Sequence, residues 1–200
     1  AAEGRYYLGQ TAQAAALYRD ALAGARAGLQ RWPGDLQLRW AVGRQQWTLG
    51  TTLIATGQSQ AAVPVLRAAR DGWTAMAAAD PEDEALAWWS RTARLAYGEA
   101  LAATGDLPAA IDELTRSLAE RRAALAAAPA SVDRQRALLT GLGGLAHVLG
   151  QGGRRAEACA VLAEAASLTG RMQQQASLSP QDVDELVRAQ ARDRAAWCAA

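Results

Sequence analysis

The sequence predicts an all-α, right-handed α-solenoid of antiparallel helix pairs, and three observations predict it. Pro33, Pro81 and Pro129 lie 48 residues apart. Gly9, Gly57 and Gly105 keep the same step, with Gly153 as a fourth. Between these breakers, Ala14, Ala62, Ala110 and Ala158 hold register, as do Tyr18, Leu66, Leu114 and Leu162, and Leu53, Leu101 and Leu149. A fixed period of this length marks one supersecondary unit copied in tandem, because each copy needs its helix breakers at the same places. The chain is expected to be a single repeat domain over residues 1–200, with units at about 1–33 (partial), 34–81, 82–129 and 130–178, and a capping helix at 180–197.

Each element follows from local signals. Residues 10–30 carry a helical stripe of Ala14, Leu17, Tyr18, Ala21, Leu22, Ala25 and Leu29. Asp35 can cap the next helix, which runs through Leu38, Trp40, Val42, Trp47, Leu49 and Leu53 to Thr56 and ends at Gly57. Its partner spans about Ser59 to Ala79, with Ala62, Val63, Leu66, Ala69, Trp73 and Met76 on one face, and stops before Pro81. Pro64, near the start of that helix, is where its first turn is expected to loosen. The next pair opens at Glu82 or Asp83, turns at Gly105-Asp106, and tolerates Pro108 in the first turn of its second helix. Ser131 caps a third pair that turns, more loosely, at Gly150 to Gly153 and returns to about Gln175. Ser179-Pro180 starts a last helix whose outer face carries Asp184, Arg188 and Arg192, the polar cap that a repeat array needs.

Composition narrows the chemistry. There are 21 basic and 20 acidic residues, for a net charge of +1, which is not the balance of a nucleic-acid binder. Every basic residue other than His147 is arginine. Without lysine there is neither a P-loop nor a Schiff base. No apolar run is long enough to span a bilayer, and no signal peptide is visible. Cys159 and Cys198 fall on different helices without metal or redox spacing and read as free thiols; with His147 they are too few for a structural zinc. No cofactor and no catalytic site is expected. The glycines from Gly141 to Gly153 lie in an apolar helical pattern, so close helix contact accounts for them better than a phosphate loop. Asp112 and Arg116, and Glu113, Glu120 and Arg121 around them, read as solvated i,i+4 chemistry.

The order of small and large residues resembles the tetratricopeptide repeat (TPR). Leu49-Gly50, Leu53, Gly57, Ala62, Leu66, Ala69 and Pro81 fill that family's places, and Tyr97-Gly98, Leu101, Gly105-Asp106, Ala110, Leu114 and Pro129 fill them again. Leu145-Ala146, Leu149, Gly153, Ala158, Leu162 and Ala165 make a degenerate third copy. The family's usual period is shorter, and Gln46 and Arg94 stand where tryptophan is usual. The variant is similar to long-helix bacterial arrays of 48 residues, some attached to serine/threonine kinases, so an oligomerising or regulatory region of a larger protein is the alternative to a free-standing scaffold.

What the resemblance implies is a non-enzymatic scaffold that holds a protein or peptide in a concave groove lined by the first helix of each pair. Carried onto this chain, the groove positions are Arg44, Trp47, Thr48 and Thr51, then Arg91, Thr92 and Glu99, then Thr140 and His147. Tryptophan and arginine are common binding hot spots; the alternative for each is packing between the overlong helices or plain solvation. Adjacent Trp88 and Trp89 cannot both face one stripe. The 48-residue step pairs Trp88 with Trp40, so these two are expected to pack at successive junctions, leaving Trp47 for ligand. The chain begins in the middle of a unit, so it reads as a piece of a longer protein. The stripe on its first helix is expected to lie open and to pair two copies into a homodimer. A cytoplasmic setting is expected, or a periplasmic one if the parent is membrane-anchored.

Overall fold

The computed structural model describes residues 11–198, and for Thr11 and Ala12 the backbone alone. The expected turn at Gly9 lies outside the described residues. Seven long helices follow in order: α1 (Thr11–Arg31), α2 (Leu36–Ala55), α3 (Ser59–Ala79), α4 (Glu84–Ala103), α5 (Leu107–Ala127), α6 (Val132–Gln151) and α7 (Arg155–Gln174). The capping segment comprises α8 (Pro180–Asp182), a π-turn (Val183–Val187) and α9 (Arg188–Trp197). Among the described residues there is no strand.

The caps form as their residue types dictate. The carboxylate of Asp35 accepts from the Leu38 amide at 3.0 Å, and that of Asp83 accepts from Ala85 and Leu86. Ser131 and Asp106 cap α6 and α5 in the same way. Gly57, Gly105 and Gly153 all take positive φ, at +74°, +89° and +75°. This left-handed geometry is free of a Cβ penalty only in glycine. At Gly57 the next amide, that of Gln58, donates back to Leu53 at 2.8 Å; at Gly153 the Arg154 amide donates to Leu149 at 2.9 Å. The third turn is therefore as tight as the first, contrary to expectation. Pro64 is exposed, and α3 runs on through it from Ser59.

The contacts gather into two compact units that divide after Gly105. In the first, α1 packs on α2, α2 on α3 and α3 on α4, and α2 also touches α4. Its centre is a tryptophan cluster around the fully buried Trp73. Trp89 stacks on Trp73 with centroids 5.1 Å apart, and Trp40 meets Trp73 edge-on at 5.3 Å. Trp47 lies edge-on to Trp89 at 5.4 Å. Trp89 is thus the junction residue, while Trp88 turns outward and is 42 % exposed, reversing the expected pairing of Trp40 with Trp88. Gly43 and Gly50 admit this packing: a Cβ at Gly43 would stand 2.7 Å from the Trp73 ring, and one at Gly50 would overlap Leu66.

Of the stripe on α1, Ala14, Tyr18 and Leu22 are buried within the chain, Leu17, Ala25 and Leu29 are half-buried, and Ala21 is exposed; α2 is laid against the helix.

In the second unit α5 packs on α6 and α6 on α7, and α9 rests on both α6 and α7. The glycines of α6 are contact points, as expected. A Cβ at Gly141 would press on Arg121 of α5, and one at Gly150 would overlap the Trp197 ring of α9. Glu113 and Arg121, read from sequence as solvated, are instead buried. Arg121 donates to the Ala137 carbonyl at 2.9 Å and to the Ser117 hydroxyl at 3.2 Å. Asp112 and Arg116 do form the exposed i,i+4 pair, at 2.9 Å.

Cys159 and Cys198 are not free thiols. They form a disulfide that ties α7 to the residue after α9. The sequence places them 39 residues apart on separate helices. Only the folding of α9 back onto α7 brings them together.

Candidate binding surface

The sequence-derived groove positions fall on both units, each described by itself. On α2, Arg44 is exposed, whereas Trp47, Thr48 and Thr51 are half-buried. The threonine hydroxyls turn back into their own helix: Thr48 donates to the Arg44 carbonyl at 2.9 Å, and Thr51 to the Trp47 carbonyl at 3.1 Å. Trp47 spends its ring on Trp89 and its indole N–H is buried without an acceptor, so it belongs to the core as much as to any surface. On α4, Glu99 is exposed, Thr92 is half-buried, and Arg91 lies 3.8 Å from Glu84. The helices that carry these two sets, α2 and α4, touch each other.

In the second unit the Thr140 hydroxyl donates to the Arg136 carbonyl at 3.0 Å. His147 has a partner that its own helix does not show. Both carboxylate oxygens of Asp193, on α9, lie 3.2 Å from its Nδ1, and the Gln151 amide nitrogen lies 3.0 Å from its Nε2. A neighbour 46 residues away is invisible to a search one helical turn on either side. The pair ties the cap to α6.

Two further contacts hold the cap. The Gln190 side chain, buried, donates to the Leu139 carbonyl at 3.0 Å. Arg136 donates to Asp182 at 2.9 Å, and the Ser179 amide and hydroxyl each donate to the same carboxylate at 2.7 Å. Burial alone would push the Asp182 carboxyl up, but these hydrogen bonds and the Arg136 charge outweigh it and hold the carboxyl below its ordinary range. Arg136 therefore braces the cap.

Among the described residues no cluster of three or more His, Cys, Asp or Glu could hold a metal ion. None of their helices is long and apolar enough to cross a membrane.

These features define a class: an all-helical repeat protein built from successive packed helices. No protein-family model and no curated protein matches the chain. Among solved structures it is similar to a putative kinesin light chain of Podosopora anserina with nearly identical TPR-like repeats. The TM-score is 0.64 and the identity 17 %, over 97 % of this chain and 92 % of that one. A point-substituted form of that protein aligns over 86 % of this chain and 93 % of its own, also at 17 % identity, with a TM-score of 0.39. The fold is that of the TPR-like helical repeats, an all-α solenoid architecture.

Proposed function

We propose that the chain is a non-enzymatic scaffold that binds a protein or peptide on the face formed by its first helices. The observation that carries this reading is the TPR-like fold itself, matched over nearly the whole chain, because such folds commonly serve protein interaction and grow their binding faces from repeated helices. Within the first unit, Arg44 and Glu99 are exposed side chains on that face. Arg91, Thr92 and Trp47 are half-buried on the same two helices. The hydroxyls of Thr48, Thr51 and Thr140 already have acceptors, and His147 is engaged with the cap, so these four contribute shape more than hydrogen bonds.

A photo-crosslinking amino acid placed at position 44 or 99 tests this in extracts of the cells that make the protein. The expected result is a covalent adduct to one other protein from both positions, and none from Thr115 or Ala166, exposed on second helices. Adducts from 115 and 166 alone, or none from 44 and 99, would remove the proposal.

The Cys159–Cys198 disulfide supports an oxidising compartment over the cytoplasm as the place of work, because cytosolic thiols are kept reduced.

A further inference from the structure

The first unit contains an unfilled cleft on the side of its second helices. It lies between α1 and α3, over α2, with a volume of about 430 Å³. Leu29 of α1, Leu36 and Val42 of α2 and Met76 of α3 make apolar walls. Ala68, Gly72, Ala75 and Ala79, on one face of α3, leave the space open. A Cβ built on Gly72 would meet no atom within 4 Å. Gln46 also lines the cleft. It is only 6 % exposed, yet its amide makes no hydrogen bond among the described residues. The amide is not sealed from solvent, so it can bond to a polar group that enters the cleft.

The second unit shows what normally fills this space. Two repeats, or 96 residues, further along, Gln46 becomes Leu142, Gly72 becomes Leu168, Ala68 becomes Glu164 and Arg26 becomes Arg122. Leu142 and Leu168 are buried. Arg122 of α5 bridges to Glu164 of α7 through a two-pronged pair at 3.0 and 2.5 Å, closing the seam between the second helices. In the first unit the arginine remains, exposed and without an ion-pair partner among the described residues, whereas the leucine and the glutamate are gone.

We propose that the cleft is a docking site for an acidic amphipathic helix of a partner protein. From Leu36 to Gln46 the floor is about 15 Å long at 1.5 Å per residue, which accommodates roughly three helical turns. The partner supplies an apolar side chain over Gly72, as Leu168 does in the second unit. It supplies a carboxylate to Arg26, as Glu164 does to Arg122. It also supplies a polar group for the Gln46 amide. Arg39, its guanidinium fixed by two hydrogen bonds to the Pro33 carbonyl at 3.0 and 2.9 Å, and Asp80 are the charged residues of the lining itself, so the acidic preference rests on Arg26 beside it. The small face of α3 lets a helix backbone approach closely. This site is separate from the face of the first helices and does not depend on it.

The probe is a fluorescent 15-residue helical peptide with leucines on one face and flanking glutamates, and its control has lysine in place of every glutamate. Fluorescence anisotropy with the full chain should show binding in the range of tens of micromolar for the glutamate peptide, and about ten-fold weaker binding for the lysine peptide. Gly72→Leu and Ala68→Glu, which copy the second unit, should each weaken binding about ten-fold. Circular dichroism verifies that both variants fold; Ala68→Glu keeps the test decisive if Gly72→Leu does not. Arg26→Glu should reverse the peptide preference. No binding of the glutamate peptide, equal binding of both peptides, or affinity untouched by Ala68→Glu would overturn the proposal. So would a dimer that Ala68→Glu dissociates, which would assign the cleft to a second copy of the chain.

Discussion

Trp73→Ala should cost the chain about 3–5 kcal/mol, the range for truncating a large buried aromatic. The side chain is fully buried, stacks on Trp89 and receives Trp40 edge-on, so its removal leaves a cavity bounded by three helices. Collapse into that space is limited. Gly43 has no side chain to move in, and Trp40 and Trp89 already contact each other at 5.6 Å. The loss is a large part of a domain stability of about 5–15 kcal/mol. Urea unfolding followed by tryptophan emission should therefore show the first unit melting at much lower denaturant. Trp32→Ala is the control: Trp32 is 55 % exposed, and its loss should stay within about 0.5 kcal/mol. A Trp73→Ala protein within about 1 kcal/mol of the parent chain, the size of an ordinary substitution, would mean that the cluster is not the core of this unit.

Opening the Cys159–Cys198 bridge should be the next largest effect. The bond closes a loop of 39 residues, and the chain-entropy estimate for that length is about 4 kcal/mol of stability. The loss should fall on the cap. Without the bond, α9 is held by Trp197 on Gly150, by Gln190 and by the half-exposed His147–Asp193 pair. Cys159→Ser/Cys198→Ser, or reductant, should lower the melting temperature of the second unit and expose apolar surface on α6 and α7 to a hydrophobic dye. Two titratable thiols in unreduced, freshly purified protein would contradict the structure. So would melting curves that do not change with reductant.

The period and its breakers were legible because they are local. Gly57, Gly105 and Gly153 need positive φ, and Asp35, Asp83 and Ser131 cap helices with their own side chains; neither depends on the rest of the fold. What a single helix pattern could not show was which of two adjacent residues meets a distant neighbour. Trp88 and Trp89 differ by about 100° around α4, and the step of 48 pointed to Trp88, but the stacking partner Trp73 stands on α3 and selects Trp89. The same holds for Cys159 with Cys198 and His147 with Asp193, pairs made only when α9 folds back. Arg121 looked solvated on its own helix and is buried because Gly141 of α6 leaves room for it. Of the candidate site, the placement of its residues on the first helix of each pair was legible in the sequence. That the threonine hydroxyls are satisfied within their own helices was not, because i−4 back-bonding is a choice of rotamer that sequence does not record. The unfilled cleft is visible in sequence only as the contrast of Gln46, Ala68 and Gly72 with Leu142, Glu164 and Leu168, and that contrast acquires meaning only once the second unit shows those side chains packed.

Amide hydrogen exchange along the full chain is the most direct measurement of the helix-pair repeat on which everything else rests. Slow exchange is expected through the interiors of α1 to α7. Fast exchange is expected at 56–58, 80–83, 104–106, 128–131 and 152–154, recurring with the period of 48 residues. Continuous protection across Gly105-Asp106, or fast exchange through the middle of α2 and α3 where the tryptophan cluster sits, would contradict it.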